Sequence, residues 1–246
     1  MKIIVSENYE ALSAKVADDL IALLQPVKSP VVCTASGDTP AGVYKVLVEN
    51  VSQQKADVGN WLFVGLDEWV GMNGNDEGSC RFHLNNQLFQ PLKVAGNKIC
   101  FFDGRAEDLQ RECKIVDDFI NENGGIDVAI VGIGMNGHIG MNEPGTPADL
   151  HSHVITLDPV TQQVGQKYFK TEQRLTKGIT LGLASLMQAR YIFLLVSGKH
   201  KAEIVKKMLE EKMSEQLPAT MLKSHLHFYI YLDADAASLI DKHYYE

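Results

Sequence analysis

A glycine-rich loop after an apolar run carries an amide, an imidazole and a carboxylate close together. Residues 132–145 read GIGMNGHIGMNEPG and present Asn136, His138 and Glu143. Histidine titrates near neutral pH, so His138 is suited to moving a proton between ligand oxygens, with Glu143 orienting it or sharing the proton. A structural loop histidine is the alternative. The number of glycines around these polar groups favours a functional loop.

The same loop contains a misleading pattern. Gly132, Gly134 and Gly137 spell GxGxxG after a strand, and Asp158 lies 21 residues after Gly137, as in a dinucleotide-binding fingerprint. That fingerprint requires a crossover helix opening at the third glycine. Glycines and prolines at 140, 144, 145 and 147 leave no room for one. The loop is therefore not predicted to bind a nicotinamide or flavin dinucleotide.

Two carboxylates follow the apolar run Trp61–Leu66, namely Asp67 and Glu68. An acid at a strand end can act on a ligand, and partial burial can raise its pKa into the range of a general base. The alternative is a loop acid that caps a turn. Trp69 is predicted to pack over the acid and shield it from water.

Residues 36–40, SGDTP, follow the strand Val31–Ala35 and precede a helical stretch. Thr39 is predicted as the N-cap and Pro40 as the first helical residue. Free amides at this helix start, with the Ser36 and Thr39 hydroxyls and the tight turn that Gly37 allows, would suit a phosphate. The alternative is a capped turn without a ligand. The Asp38 carboxylate is expected to point away from an anion.

Cations follow another strand end. Lys199 and Lys201 open a predicted helix after Gly198, where they oppose the helix dipole. Cations at this unfavourable position indicate an anionic partner. The alternative is a solvated basic patch without a ligand. Lys167 and Lys170 are further candidates, in a segment that is predicted to form a mobile lid.

Short apolar runs alternate with helical stretches along the chain. Strands are predicted at Ile3–Ser6, Val31–Ala35, Trp61–Leu66, Asn97–Phe102, Asp127–Gly132, Val154–Leu157, Ile179–Leu181, Tyr191–Ser197 and His227–Leu232. Helices are predicted over residues 8–25, 40–53, 79–89, 106–122, 199–213 and 234–243. This alternation predicts a Rossmann-like, three-layer α/β/α fold with a doubly wound, mostly parallel sheet, in one domain over residues 1–246. Such sheets bind ligands at the carboxyl ends of their strands.

Composition excludes several classes of protein. A net charge of −8 argues against a broad nucleic-acid surface. The longest apolar stretch, residues 178–198, is too interrupted by polar residues to cross a membrane. The four cysteines show no CxxC pair, so free thiols in the cytoplasm are expected, with Cys33 and Cys100 packing in strands. Two His-x-His pairs, 151/153 and 225/227, lack a third ligand, and no metal site is predicted from them.

Taken together, the motifs SGDTP (36–40), LDEWV (66–70), GMNGHIGMNEPG (134–145) and GKHK (198–201) resemble the glucosamine-6-phosphate deaminase (isomerase) family. They occur in order and span nearly the whole chain. The segments LDEWV, TQQ (161–163) and GITLGL (178–183) look most similar to its galactosamine-6-phosphate branch.

The resemblance implies roles by position. Asp67 would be the base that moves a proton between C2 and C1 of the open-chain sugar. His138 would open the ring, assisted by Asn136 and Glu143. The phosphate cradle would consist of Ser36, Gly37, Thr39, Lys167 and Lys201. The implied partner is an amino-sugar phosphate, without metal or organic cofactor, and a homo-oligomer is left open.

Departures from the family pattern accompany this resemblance. Asn136 stands where many relatives carry aspartate, and an amide cannot raise the pKa of His138 as a charge would. Lys167 stands where arginine is common, which gives up a bidentate phosphate contact.

Two other functions remain open. A 6-phosphogluconolactonase shares this kind of fold and a Gly-His loop, but such enzymes typically show Asp-Glu-Arg where this chain has Asp-Glu-Trp. A sugar-phosphate-sensing module would need a DNA-binding element, and no helix-turn-helix pattern stands apart from the predicted sheet.

Overall fold

The fold is built on a seven-stranded parallel sheet. The computed structural model describes residues 1–245. The strands of this sheet are β1 (Lys2–Ser6), β2 (Val31–Thr34), β3 (Leu62–Gly65), β5 (Ile99–Cys100), β6 (Val128–Val131), β9 (Tyr191–Val196) and β10 (Phe228–Asp233). Their order is β1-β10-β9-β6-β2-β3-β5, and every pairing is parallel. The predicted mostly parallel sheet is confirmed.

A smaller antiparallel sheet joins the three remaining strands, β4 (Asp67–Trp69), β7 (His153–Thr156) and β8 (Lys177–Thr180), in the order β4-β8-β7. Two of them, β7 and β8, were predicted as strands of the single large sheet, and the structure places them in this separate sheet instead. Because β4 follows β3 after the single residue Leu66, this sheet fixes the end of a parallel strand. Asp67 lies opposite Thr180 in the register.

Seven α-helices and several short helical turns complete the described chain. The α-helices are α1 (Tyr9–Leu24), α2 (Asp38–Ser52), α3 (Cys80–Leu84), α4 (Leu109–Glu122), α5 (Pro159–Gly165), α6 (Leu183–Met187) and α7 (Ala202–Glu210). A π-helical turn, Asn85–Phe89, extends α3. Turns of 3-10 helix lie at Gly96–Lys98, Gln166–Tyr168, Lys199–Lys201, Pro218–Ser224 and Lys242–Tyr244.

The large sheet separates two apolar cores. Its strand residues alternate between them: Val128 and Ile130 of β6 belong to one core, and Ala129 and Val131 to the other. Helices α1 and α2 pack in the first core, and α4 and α7 in the second. Burial on both faces explains why these strands are almost wholly apolar. The three-layer α/β/α prediction is confirmed.

The structure corrects several predicted helix boundaries. Helix α2 begins at Asp38, and its N-cap is Gly37 rather than Thr39. Gly37 has a φ of 130°, which a side chain would disfavour, so the chain turns into the helix two residues earlier than the threonine suggests. Helix α4 begins at Leu109 because the Asp108 carboxylate accepts the amides of residues 110 and 111. In place of a continuous helix 199–213, a 3-10 turn precedes α7.

The predicted helix 234–243 is wrong. After β10 the chain forms successive turns, ending in a 3-10 turn at Lys242–Tyr244. The Asp233 carboxylate accepts the Ala236 amide, and the Ser238 hydroxyl donates to the Asp235 carbonyl. Short polar side chains that bond nearby backbone groups compete with helix formation.

Among residues 1–245, no helix has the length and apolar character needed to cross a membrane.

Candidate active site

A cavity of about 390 Å³ lies at the carboxyl ends of the central parallel strands. Its wall includes residues that follow β2, β3, β6 and β9, as the sequence predicted for this fold. Ser36, Asp67, His138, Lys167 and Lys201 all line it. Residues separated by more than 160 positions in the chain therefore meet around one space.

Asp67 contributes a carboxyl group to this cavity. Burial raises its pKa to about 6, while the Cys80 thiol and the nearby His138 favour the charged form and limit the rise. A carboxyl with a pKa near neutrality can take up a proton and release it at physiological pH. This is the electrostatic character predicted for a base at the end of a strand.

Cys80 was missed as part of this site. It is the first residue of α3, lines the cavity, and its side chain interacts with Asp67 and Ser36. Burial raises the pKa of the thiol well above its ordinary value, so it remains protonated and can donate to Asp67. Nothing in the local sequence Gly78-Ser79-Cys80 signals this contact, because it depends on how α3 packs on β4. All four cysteines are free, as predicted.

Glu68, the second acid of the pair, has a structural role. Its side chain is fully buried and accepts the backbone amides of Trp69, Cys80 and Arg81. Burial raises its pKa to about 7, and the three amide hydrogen bonds oppose that rise. The two interpretations of the Asp-Glu pair, a functional acid and a structural cap, thus apply to one residue each. Asp67 faces the cavity, and Glu68 holds α3 in place.

Trp69 packs as predicted. It is buried, lines the cavity, and its ring lies 6.3 Å from that of Phe169. Burial keeps water from solvating the charge of the Asp67 carboxyl, which is the cause of its raised pKa.

Asn136, His138 and Glu143 form one hydrogen-bonded group. The Asn136 Oδ1 lies 2.7 Å from His138 Nδ1, and the Asn136 Nδ2 donates to Glu143 Oε2 over 2.9 Å. The His138 Nδ1 is itself 3.6 Å from Glu143 Oε2. Burial alone would raise the pKa of Glu143, but its interactions with His138, Thr161 and Asn136 hold the pKa below the ordinary value.

This arrangement defines the protonation of the ring. The Glu143 carboxylate needs a donor, so the amide nitrogen of Asn136 faces it and the amide oxygen faces His138. An amide oxygen can only accept, so His138 Nδ1 carries the proton. In the neutral ring, Nε2 is then the nitrogen that can accept a proton from a ligand.

The glycines of the loop serve close packing. A Cβ on Gly134 would lie 2.2 Å from the His138 ring. Gly137 has a φ of 85°, and a Cβ there would lie 2.1 Å from Leu217. No helix opens at Gly137, so the GxGxxG pattern does not form a dinucleotide fingerprint in this fold, as the sequence indicated.

The candidate phosphate residues lie at one end of the cavity. Ser36, Gly37 and Thr39 line it beside the start of α2, opposite Lys167 and Lys201. Burial, together with the nearby Lys167, lowers the pKa of Lys201 to about 8, and its Nζ donates to the Ile133 carbonyl over 2.6 Å. A bound anion would favour the charged form of Lys201, so the site is suited to one.

Asp38 pairs with Lys167 at 2.6 Å and is largely exposed. Asp38 also lines the cavity, so the expectation that its carboxylate would point away from the anion site is wrong: the carboxylate pairs with a candidate phosphate cation. The other two candidate cations lie elsewhere: Lys170 pairs with Glu77 at the surface, and Lys199 is exposed and does not line the cavity.

The histidine pairs do not assemble a metal site. Among residues 1–245, no group of three or more histidine, cysteine, aspartate or glutamate side chains could hold a metal ion. His151 lies 3.1 Å from the Ser185 hydroxyl, and His225 Nε2 lies 2.8 Å from the Ala189 carbonyl. These imidazoles thus satisfy local hydrogen bonds.

Known proteins resemble this chain in sequence over most of its length. The family model for glucosamine-6-phosphate isomerases/6-phosphogluconolactonase matches residues 6–230. Glucosamine-6-phosphate deaminase from Geobacillus sp. (strain WCH70) is 37% identical over 241 residues, which are 98% of this chain and 96% of that protein. The corresponding protein from Thermoanaerobacter sp. (strain X514) is 36% identical over 98% of this chain and 95% of its own length.

Solved structures show the same similarity. A monomeric glucosamine-6-phosphate deaminase superposes with a TM-score of 0.94 at 34% identity, covering 98% of this chain and all of that one. A 6-phosphogluconolactonase from Thermotoga maritima reaches a TM-score of 0.76 at 21% identity, covering 94% and 99% of the two chains. The second likeness concerns the fold alone.

Proposed function

The chain belongs to the glucosamine-6-phosphate isomerase/6-phosphogluconolactonase family, and we propose that it is an amino-sugar-6-phosphate deaminase. Its substrate would be glucosamine 6-phosphate or galactosamine 6-phosphate, and its products the ketose 6-phosphate (fructose or tagatose 6-phosphate) and ammonia. The observation that carries the proposal is that Asp67, with a pKa near 6, and the Nδ1-protonated His138 line the same cavity. Those two groups supply the base and the acid that the reaction needs.

His138 opens the sugar ring in this account. The ring nitrogen Nε2 takes the proton of the anomeric hydroxyl and returns a proton to the ring oxygen, while the bond between C1 and the ring oxygen breaks. Asn136 and Glu143 keep the imidazole in the orientation and tautomer that this exchange requires. The product of this step is the open-chain aldehyde.

Asp67 then isomerises the open chain. Its ionised carboxylate removes the proton from C2 while the C1 carbonyl oxygen takes up a proton, and the resulting enolamine takes a proton at C1 from the same carboxyl group. The C2–N bond is then a protonated imine; water adds to C2, and ammonia leaves with release of a proton as the ketone forms. These steps use only proton transfers and water, so the residues in the cavity account for them without a cofactor.

The phosphate group would bind at the start of α2. The Ser36 and Thr39 hydroxyls and the backbone at Gly37 offer donors, and Lys167 and Lys201 offer positive charge. Anchoring the far end of the substrate fixes C1 and C2 relative to Asp67 and His138.

Two alternatives remain from different classes of protein. A 6-phosphogluconolactonase would hydrolyse an ester and would have no carbon-bound proton for Asp67 to move. A sensing module would bind the sugar phosphate without turnover and would not need the Asn136–His138–Glu143 group. Ammonia release by the purified protein from each amino sugar, with 6-phosphogluconolactone as the comparison substrate, separates the three. Ammonia from either sugar supports the deaminase, lactone hydrolysis alone supports the lactonase, and binding without turnover supports the sensor.

We also propose that the protein works in the cytoplasm, because its four cysteines are free thiols, as is usual in a reducing compartment. Light scattering of the purified protein measures whether it forms a homo-oligomer.

A further inference from the structure

Thr161 lies in the first turn of α5 and contacts the hydrogen-bonded group formed by Asn136, His138 and Glu143. It is buried, lines the cavity, and its Oγ1 is 3.1 Å from His138 Nδ1. Its side chain also interacts with Glu143. One hydroxyl group therefore contacts both the imidazole and the carboxylate.

The direction of these hydrogen bonds follows from the groups around them. His138 Nδ1 carries a proton because Asn136 Oδ1 can only accept, so the Thr161 oxygen is a second acceptor for that proton. The Thr161 hydroxyl proton is then free to point to the Glu143 carboxylate, whose charged form this side chain stabilises. Thr161 thus connects the negative charge of Glu143 to the ring of His138 beside the Asn136 amide.

Helix α5 joins this contact to the phosphate end of the cavity. The Asp158 carboxylate caps α5 by accepting the Val160 amide, and the Asp158 backbone amide donates to Glu143 Oε1 over 3.2 Å. The 3-10 turn Gln166–Tyr168, which carries Lys167, follows α5 directly. The segment that holds a candidate phosphate cation is therefore fastened at its other end to Glu143 and His138.

We propose that Thr161 is a positioning residue for His138. Its hydroxyl holds the imidazole and Glu143 in register for ring opening. Because Asn136 is neutral, Glu143 supplies the negative charge of this group, and Thr161 and Asn136 are the two side chains that transmit it. The inference rests on the proposed deaminase function.

The test compares Thr161→Val, which keeps the shape and removes the hydroxyl, with Thr161→Ser, which keeps the hydroxyl. Removing a side chain that orients a reacting imidazole typically costs about 10- to 100-fold in activity. We expect Thr161→Val to lower kcat for ammonia release about 10-fold or more, with KM and inhibition by inorganic phosphate within about twofold of wild type. Thr161→Ser should retain kcat within about threefold.

Thr146→Val is the matched control. Thr146 is equally buried, and within the described chain its hydroxyl has no hydrogen-bond partner. Its variant should have wild-type kcat. Thermal unfolding midpoints establish that each variant is folded, and if Thr161→Val is not, Thr161→Ala replaces it.

The outcomes separate this inference from the function on which it rests. Wild-type kcat in the folded valine or alanine variant, or equal losses in the valine and serine variants, would overturn the role of the hydroxyl while wild-type protein still releases ammonia. No ammonia from wild-type protein would overturn the proposed function and the inference together.

Discussion

The side-chain amide of Asn136 bridges His138 and Glu143, with 2.7 Å from its oxygen to Nδ1 of the ring and 2.9 Å from its nitrogen to Oε2 of the carboxylate. The amide can make both hydrogen bonds in only one orientation. Because its oxygen accepts the proton on Nδ1, the free lone pair of the neutral imidazole lies on Nε2. In this group Glu143 supplies the negative charge, and Asn136 fixes the orientation of the imidazole.

Asn136→Leu tests that role. Leucine is similar in size and removes both hydrogen bonds, so the ring loses its fixed tautomer and Glu143 loses a donor. We expect kcat for ammonia release to fall about 10- to 100-fold, with KM within about threefold because the phosphate contacts remain. Steady-state kinetics on the variant measure both values, and an unchanged kcat would remove Asn136 from the ring-opening group.

The pH profile tests the environment of Asp67. Burial raises the pKa of this carboxyl to about 6, and it acts as a base only when ionised. The value of kcat/KM should therefore fall as the pH drops through about 6, with a tenfold loss per pH unit below it. A profile that stays flat down to pH 5 would contradict the assignment of Asp67 as the base.

Cys80→Ala should shift the acid side of the same pH profile. The thiol favours the ionised form of Asp67, so its loss should shift the acid limb of kcat/KM to higher pH by about half a unit or more. Cys113→Ala is the control, because Cys113 lies on α4, outside the cavity. If the two variants have the same profile, Cys80 does not tune Asp67.

Lys201→Ala tests the phosphate end of the cavity. A charged hydrogen bond to the phosphate persists from bound substrate to transition state, so its loss should raise KM about 10-fold or more and leave kcat within about threefold. Lys199→Ala, two residues away and exposed outside the cavity, should resemble wild type. Equal KM values for the two variants would place the phosphate elsewhere.

Asp38→Asn tests the ion pair with Lys167. The substitution removes a negative charge beside the anion site and frees the lysine. Exposed pairs are weak, so we expect inhibition by inorganic phosphate to strengthen only about two- to fivefold. Glu77→Gln, which frees the more distant Lys170, is the control and should leave phosphate inhibition unchanged. Weaker inhibition in Asp38→Asn would mean that Asp38 holds Lys167 in its binding position.

Much of this site followed from local patterns. Buried parallel strands are apolar on both faces, and ligands bind where such strands end, so the residues after β2, β3, β6 and β9 could be ranked from the sequence. The motifs around Asp67 and His138 are contiguous, which made them recognisable. The structure places both side chains on one cavity, as this ranking indicated.

The features that were missed depend on tertiary packing. Thr161 reaches His138 from a short helix, α5, whose seven residues give too little periodicity to be recognised. Cys80 reaches Asp67 because Glu68 fixes the start of α3 by accepting two of its backbone amides, those of Cys80 and Arg81. The helix predicted at 234–243 does not form, although its composition suits a helix. The Asp233 carboxylate accepts the Ala236 and Gly198 amides instead, and the chain turns there.

The most direct test of the account is Asp67→Asn, which keeps the shape of the side chain and removes the base. Wild-type protein incubated with its amino-sugar substrate in heavy water is expected to release ammonia and to exchange or transfer the C2 proton, followed by proton NMR. The variant should bind the substrate within about threefold of wild type, while ammonia release falls about 100- to 10,000-fold and the C2 proton is retained. Near-normal ammonia release, or C2 exchange at the wild-type rate, in the folded variant would contradict the central claim that Asp67 moves this proton.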